Sequence, residues 1–235
     1  MKALKFALLG AAASLAMGGS ALAQEDAAVD VSFNIGVASD YVFRGVSQTD
    51  EGVQVFGGAD VTSGMLYAGV WASNVDFLDS TDAEVDFYAG VRPTAGPFTL
   101  DFGAIYYAYI DEPSGADYNY WELKAAASVP VGQATLGAAL FYSPDFTGAA
   151  ADEGLYYEVN GAMPLSDKAT LSAAIGRQEV EFDGLGDFDY TTWNVGLGYA
   201  ITDKVGLDIR YWDTQEEPFG DISEERIVAS LKLTL

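Results

Sequence analysis

The sequence contains no cysteine and no histidine among its 235 residues. The first absence excludes disulfides and thiolate nucleophiles, and the second excludes Ser-His and Cys-His dyads, histidine metal sites and histidine pH switches. Basic residues are scarce, since 11 Lys+Arg stand against 35 Asp+Glu and give a formal net charge of −24. Nucleic acid is therefore excluded as a partner, because phosphate binding requires basic patches. We predict a protein that is not an enzyme, with no catalytic residues, no cofactor and no metal site.

Residues 1–23 have the three parts of a secretory signal peptide. A short basic start precedes an apolar run at 6–17, and the small residues of 18–23 form a cleavage pattern. We expect cleavage after Ala23, which leaves a mature chain of residues 24–235. The alternative is a retained membrane anchor, but the apolar run is shorter than the roughly 20 residues that a membrane-spanning helix needs.

The mature chain has one other long uncharged stretch, at 125–144. Pro130 and Gly132 interrupt it near its middle, where a helix would be broken and a turn is favoured. We therefore predict no transmembrane helix in the mature chain.

Apolar residues alternate with polar or small residues through most of the mature chain, a period that is typical of β-strands with two different faces. In the clearest example, apolar residues occupy every second position from Phe98 to Ile110, and the other face begins with Thr99, Asp101 and Gly103. Runs of about ten residues match the length of a tilted transmembrane strand. The predicted runs are 29–44, 53–62, 65–74, 83–92, 98–110, 117–129, 133–143, 154–163, 169–179, 189–201, 205–213 and 223–235.

The connections between these runs alternate between short and long. Tight turns are predicted at 63–64, 94–97, 130–132, 165–168 and 202–204. The longer, acidic connections are 75–82, 111–117, 144–153, 180–188 and 214–222. Short turns at one end and long loops at the other are typical of outer-membrane barrels.

We therefore predict an all-β fold in which residues 24–235 form a transmembrane antiparallel up-and-down β-barrel of about 12 strands in the cell outer membrane. An even strand number places both termini on the short-turn, periplasmic side. The alternative is a soluble exported β-sandwich or lipocalin-like barrel, in which alternation separates a core from water.

Aromatic residues collect toward the ends of the runs, where we expect them to form girdles at the two membrane interfaces. These residues are Tyr41, Phe43, Tyr106, Tyr109, Tyr118, Trp121, Tyr156, Tyr157, Tyr211 and Trp212.

Two motifs carry a resemblance to a known family. Residues 39–48 read SDYVFRGVSQ, and residues 67–75 read YAGVWASNV. Together they closely resemble the signature of the TorF-type porin family of small proteobacterial outer-membrane proteins. The resemblance extends over the mature chain in length and segment rhythm, and it implies a signal-bearing outer-membrane β-barrel. One departure is Leu235, since many such barrels end on an aromatic residue that the barrel-assembly machinery recognises.

Strand parity places a set of charged residues on the face opposite the apolar one, which in a barrel is the lumen. For Asp40 and Arg44, about 13 Å apart along a regular strand, we consider a pore-lining role and a structural ion-pair network that holds the first loop. The predicted lumen acids are Asp40, Asp60, Glu84, Asp86, Asp101, Glu122, Glu158 and Asp208. The predicted lumen bases are Arg44, Lys124, Arg210, Arg226 and Lys232.

This charge distribution predicts a function. Twelve strands lie between filled eight-stranded barrels and open sixteen-stranded channels, so we expect a narrow diffusion pore for small solutes. Eight lumen acids against five bases favour cations, with Asp101 and Glu122 as the leading candidates. The alternatives are a sealed structural or adhesive barrel without conductance and a soluble exported binding protein. We expect the lumen carboxylates to form structural charge ladders with the bases rather than to catalyse hydrolysis as acid–base pairs.

The long loops are acidic and have no basic residue in the predicted ranges. They form either a solvated rim or a surface that divalent cations bridge to phosphates of the surrounding lipopolysaccharide. The partners that we expect are therefore outer-membrane lipid, lipopolysaccharide, small solutes and the barrel-assembly machinery.

Overall fold

The computed structural model describes residues 28–148, 151–182 and 186–235. The predicted signal peptide and its cleavage site lie outside these ranges. Within them, no helix has both the length and the apolar character that a membrane crossing requires.

The described chain forms a closed barrel of twelve antiparallel strands, as the alternation predicts. Each strand pairs with its neighbours in the sequence, and the last pairs with the first to close the sheet. The strands are β1 (Val29–Ala38), β2 (Gln54–Ser63), β3 (Leu66–Asn74), β4 (Ala83–Val91), β5 (Phe98–Ile110), β6 (Tyr120–Val131), β7 (Ala134–Ser143), β8 (Ala151–Pro164), β9 (Ala169–Phe182), β10 (Tyr190–Ala200), β11 (Val205–Thr214) and β12 (Arg226–Thr234).

The two ends of the barrel differ as predicted. At the short-turn end, Gly64 and Met65 join β2 to β3, and residues 201–204 join β10 to β11. At the opposite end, which we name the long-loop end, the connections include 39–53 and 215–225, the latter with a 3-10 turn at Gly220–Ser223. Positive φ angles at Gly64, Gly96 and Gly132 allow the tight turns.

Apolar side chains cover the outside of the barrel and polar side chains fill the inside. Phe33 and Ile35 are 53% and 54% exposed on the outer surface of β1. The largest fully buried side chains are instead polar, among them Gln54, Gln178 and Glu122. This distribution is the reverse of that in a soluble β-sandwich, and it is the one expected for a barrel surrounded by lipid.

The prediction that the first strand reaches residue 44 is wrong. β1 ends at Ala38, and residues 39–53, which we name the inserted segment, fold back into the barrel. Val42–Phe43 and Val46–Ser47 pair as a short hairpin inside it. Arg44 and Gly45 have φ angles of 47° and 86°, which turn the chain where the apolar alternation alone indicates a continuing strand.

The predicted girdle is correct only in part. Tyr106, Trp121 and Tyr157 are exposed on the outer surface. Tyr41, Tyr156 and Trp212 are instead buried inside the barrel, Phe43 packs beside the cluster around Tyr107, and Tyr118 lies in a loop. Adjacent residues of a strand point to opposite faces, so Tyr156 and Tyr157 cannot both face lipid, and neither can Tyr211 and Trp212.

Candidate functional site

Asp40 fixes the base of the inserted segment to the barrel wall. Its carboxylate accepts hydrogen bonds from the hydroxyls of Ser47 (2.7 Å) and Thr49 (2.8 Å), on the returning arm of the same segment. It also accepts Nη1 of Arg226 on β12 at 2.9 Å. The predicted lumen residues Asp40 and Arg226 are therefore paired with each other, and together they hold both arms of the segment against one strand.

Tyr41 joins the segment to a second part of the barrel wall, on β3 and β4. Its hydroxyl donates to Oε1 of Glu84 on β4 at 2.6 Å, and its ring lies edge-on to Trp71 of β3 with centroids 5.4 Å apart. Tyr41 and Glu84 are 3% and 2% exposed. An apolar residue at position 41 would remove one of the hydrogen-bond donors of this buried carboxylate, which also receives a hydrogen bond from Tyr109.

Arg44 lies at the tip of the segment and reaches across the lumen. Its Nη1 and Nη2 atoms each lie 2.8 Å from one carboxylate oxygen of Glu122 on β6, and Nη1 also lies 3.0 Å from Oε1 of Gln178 on β9. The exposed fractions of Arg44, Glu122 and Gln178 are 3%, 1% and 0%. This is a buried two-pronged guanidinium–carboxylate pair, the strongest form of charge-assisted hydrogen bonding.

Aromatic rings cover the faces of the same guanidinium. Its Cζ atom lies 4.4 Å from the ring centroid of Tyr156, 4.6 Å from that of Phe43 and 5.0 Å from that of Phe141. Phe43 belongs to the inserted segment, whereas Phe141 and Tyr156 belong to β7 and β8. The rings attract the cation and keep water from it.

The groups that receive Arg44 are themselves held in place by the wall. The hydroxyl of Tyr107 donates to Oε2 of Glu122 at 3.0 Å, and its ring stacks on Tyr120 at 4.4 Å. The amide nitrogen of Gln178 contacts the carbonyls of Leu155 and Glu179 at 3.4 and 3.2 Å, which directs its oxygen toward Arg44. The orientation of both acceptors is thus set by contacts other than those with Arg44.

Gly45 lets the tip of the segment approach β10 and β11 closely. Its carbonyl accepts the hydroxyl of Thr214 at 2.9 Å. A Cβ atom at this position would overlap the hydroxyls of Thr192 and Thr214. Any other residue would therefore push the tip away from β10 and β11.

A second buried charge cluster surrounds Asp101. Lys124 Nζ and Arg92 Nε lie 2.9 and 3.1 Å from its Oδ2 atom, and the hydroxyl of Tyr67 donates to Oδ1 at 2.7 Å. Asp101 is 1% exposed. Of the two bases, only Lys124 was among the predicted lumen residues, and Arg92 reaches the cluster from the turn that follows β4.

Arg210 and Asp208 form a third pair, within β11. Nε and Nη2 of Arg210 each lie 3.1 Å from one oxygen of Asp208. Arg210 also donates to Asn194 at 2.6 Å and to Ser172 at 2.8 Å on the two preceding strands.

The remaining predicted residues form no ion pair among the residues that the structure describes. Asp60 accepts the hydroxyl of Tyr88 at 2.6 Å, and Glu158 accepts that of Tyr156 at 3.0 Å. One oxygen of Asp86 is buried without a hydrogen-bond partner in the described chain. Lys232 is half-buried on β12. In the same part of the chain, no group of acids is placed to hold a metal ion.

These contacts fill the barrel toward its long-loop end. At the level of Arg44, side chains from the inserted segment and from strands β5 to β11 leave Glu122, Gln178 and Thr192 almost without exposure. Asp60, Asp208 and Lys232 remain half-buried. The lumen of this conformation is therefore occupied by the chain itself around Arg44 and is more accessible around these three residues.

The long loops carry both acidic groups and loop-to-loop contacts. The hydroxyl of Tyr118 donates to Asp79 at 3.0 Å, which joins the third and second connections of the long-loop end. The backbone N–H of Thr81 also donates to Asp79, and this bond holds the pKa of the carboxyl below its usual range. Arg177, which has outward parity, pairs with Asp189 at 3.3 Å near the same end.

Sequence reasoning placed Glu122 in the lumen but missed the other groups around Arg44. Gln178, Tyr107 and Phe141 were not singled out, although each lies at a lumen position of its run. The only available signal was strand parity, which shows that a residue lies on the inner face. Parity does not distinguish an uncharged residue in contact with water from one that contacts a side chain from across the barrel.

Comparison with known proteins places the chain in a family. Residues 22–232 match the sequence profile of a family described as bacterial protein of unknown function (Gcw_chp). The chain belongs to this family. No curated protein matches the sequence.

Solved structures with a similar fold are outer-membrane channels. A structure of the KdgM porin superposes with a TM-score of 0.58 at 11% identity, covering 86% of this chain and 97% of that one. The COG4313 outer membrane channel from Pseudomonas putida F1 gives a TM-score of 0.53 at 12% identity, covering 90% and 96%. The NanC porin gives 0.53 at 10% identity, covering 87% and 98%. At these identities the likeness is one of fold.

Proposed function

We propose that this member of the family is an outer-membrane channel for small solutes, of the TorF type, which conducts when the inserted segment leaves the lumen. The observation that carries the proposal is the combination of an ionisable inner wall with a segment that is tethered at both ends and held at its tip by polar groups. Moving such a segment breaks contacts of Asp40, Tyr41 and Arg44 but none of the strand ladders that close the barrel.

In this proposal the long-loop end faces outward and both described chain ends face the periplasm. The acidic loops then meet the lipopolysaccharide layer, where divalent cations would bridge loop carboxylates to lipid phosphates. Asp79, whose carboxyl stays ionised, is one such group on the rim.

We further propose that the channel prefers cations. Four of the eight lumen acids are paired with bases, so their charges are largely offset, and this includes Asp101 and Glu122. The acids without an ion pair in the described chain are Asp60, Glu84, Asp86 and Glu158. They outnumber the two bases that have no acid of their own, which are Lys232 and Arg92, the second base on Asp101. This balance leaves a net negative wall, whose field is focused by the surrounding low-dielectric medium.

The test is single-channel conductance in planar bilayers. We expect the wild-type protein to pass little current, and a variant with residues 41–48 replaced by a short Gly-Ser linker to pass a larger, steady current. A matched control replaces residues 113–116, which lie in the connection between β5 and β6 at the long-loop end, and should leave the conductance unchanged.

The second candidate function is a sealed structural barrel, and the near-zero exposure of Gln178 and Thr192 favours it. A sealed barrel would carry no current even after residues 41–48 are replaced. That result, obtained with protein that is folded in the same bilayers, would contradict the channel proposal.

A further inference from the structure

We infer that the lumen pocket around the Arg44 side chain is a binding site for guanidinium-bearing organic cations, and that Arg44 is its built-in ligand. The inference names a class of solute for the proposed channel. It rests on the proposed function only for the claim that this solute passes through the barrel. The pocket is defined by Glu122, Gln178, Phe141 and Tyr156, all of which belong to barrel strands.

The hydrogen-bond acceptors of the pocket match a guanidinium rather than an amine. Glu122 receives two parallel N–H donors, each at 2.8 Å, and Gln178 receives a third at 3.0 Å. A planar guanidinium presents donors in this fixed arrangement, whereas an ammonium acts as a compact point charge and cannot form the parallel pair. A urea group has a similar planar shape but lacks the positive charge that Glu122 requires.

The faces of the pocket also suit a flat cation. The rings of Phe141 and Tyr156 lie 5.0 and 4.4 Å from the guanidinium carbon. Both rings are part of the wall, so they stay when the inserted segment moves, and only Phe43 leaves with it. A free guanidinium would therefore meet nearly the same surroundings as Arg44.

Contacts other than those with Arg44 orient the acceptors of the pocket. Tyr107 orients the carboxylate of Glu122, and the carbonyls of Leu155 and Glu179 orient the amide of Gln178. Removal of the arginine leaves a buried carboxylate without a counter-charge, which is strongly unfavourable. An emptied pocket should therefore recruit a cation of matching shape.

Arg44 competes as a tethered ligand. A short flexible tether gives an effective concentration in the millimolar range. Arg44 also has a φ of 47°, a backbone conformation that a non-glycine residue adopts at a cost, which reduces its advantage over a free ligand. Solutes with one guanidinium group should therefore compete at about millimolar concentrations and above.

The experiment supplies the missing side chain from solution. Arg44→Ala protein in detergent is titrated with n-propylguanidinium, and with n-propylurea as the uncharged analogue of the same shape, while thermal unfolding is followed. We expect a saturable rise in Tm with the cation and at least a tenfold weaker response to the urea. Wild-type protein, whose pocket is filled, should respond little at the same concentrations.

Two double variants locate the site. Arg44→Ala with Glu122→Gln should lose at least tenfold in apparent affinity for n-propylguanidinium. Arg44→Ala with Glu158→Gln is the control, because Glu158 accepts a hydrogen bond from Tyr156 but does not contact the guanidinium, and it should bind as Arg44→Ala does. Equal responses to the two ligands, or equal affinity in the two double variants, would overturn the inference.

Hydrogen exchange of the wild-type protein decides the matter if Arg44→Ala fails to fold. Addition of n-propylguanidinium at tens of millimolar should accelerate exchange of amides in residues 39–53, and n-propylurea should not. Unchanged exchange with both would overturn the inference. Neither measurement uses a current, so a negative binding result would leave the channel proposal intact. Conversely, if the variant with the Gly-Ser linker conducted no current, the channel proposal would fail and the binding site would still stand.

Discussion

Arg44 and Gly45 lie together at the tip of the inserted segment and place opposite demands on the barrel wall. Arg44 needs a carboxylate, an amide and aromatic faces, and finds them on four strands. Gly45 needs the absence of a side chain, since its carbonyl and Cα lie against Thr192 and Thr214. The long side chain of Arg44 thus reaches across the lumen, while the absence of a side chain at Gly45 lets the backbone pack closely against β10 and β11.

Gly45→Ala tests the close approach of the tip. The added methyl group would overlap two threonine hydroxyls, and the φ of 86° is unfavourable for alanine, so we expect a loss of about 2–4 kcal/mol in the free energy of unfolding. Gly96→Ala is the matched control, because Gly96 also has a positive φ, of 60°, but would meet nothing within 4 Å. Urea unfolding from lipid vesicles measures both, and equal losses would show that packing at Gly45 is unimportant.

Asp101→Asn tests the second charge cluster. The substitution keeps the shape of the side chain but leaves Lys124, which is 9% exposed, without its nearest counter-charge. Loss of one partner from a buried pair typically costs about 3–5 kcal/mol, and we expect a value near the lower end because Arg92 is partly exposed. Glu158→Gln, which removes an acid without an ion pair in the described chain, should change the same unfolding free energy by less than about 1 kcal/mol. Comparable losses would contradict this assignment of the paired charges.

At the scale of elements, each strand has one face for lipid and one for the lumen, and β8 shows the contrast most clearly. Val159 is 60% exposed on the outer surface, and its neighbour Asn160 donates to Glu158 at 2.8 Å on the inner surface. The two positions are adjacent in the sequence and differ only in the face on which they lie.

Val159→Arg and Asn160→Arg should therefore have opposite outcomes. An arginine in the lipid-facing position should cost about 2–4 kcal/mol if it lies near the bilayer midplane, and folding yield in vesicles should fall. An arginine at position 160 meets Glu158, an acid without an ion pair in the described chain, and folding yield should be close to that of the wild type. Similar yields for both variants would show that the faces are assigned incorrectly.

For the whole molecule, the arrangement of charge is more informative than its sum. Most of the negative charge lies outside the strands. Inside the barrel, Arg44 of the inserted segment and bases of three strands neutralise half of the predicted acids. The acids that remain without an ion pair in the described chain define the field that a permeating ion would meet.

The reversal potential of the linker variant under a salt gradient tests that field. We expect cation preference that weakens as salt rises, because the Debye length falls from about 10 Å at 0.1 M to about 3 Å at 1 M. Asp60→Asn with Glu158→Gln should reduce the preference, whereas Asp167→Asn in a short exposed turn should not. Anion preference, or a preference unchanged by the first pair, would contradict the electrostatic account.

Strand number, strand order and the two kinds of connection were predictable because they follow from local patterns. Alternation marks each strand, and turn residues such as Gly64 and Gly132 mark the boundaries. The face of each charged residue follows from the same period of two. The boundary at Ala38 was not predictable, because Tyr41 and Phe43 continue the alternation of β1 although both lie inside the barrel.

The sequence by itself determined the antiparallel strands and the two faces of each, and the rhythm of short and long connections favoured a barrel with apolar residues outside over a soluble β-sandwich. Only the tertiary structure decided that residues 39–53 enter the lumen and that Arg44 meets Glu122. The physical reason is that this pairing joins residues 78 positions apart through the interior of the barrel. Local periodicity specifies which face a side chain occupies, but the partner that it meets across the lumen depends on the curvature and closure of the whole sheet.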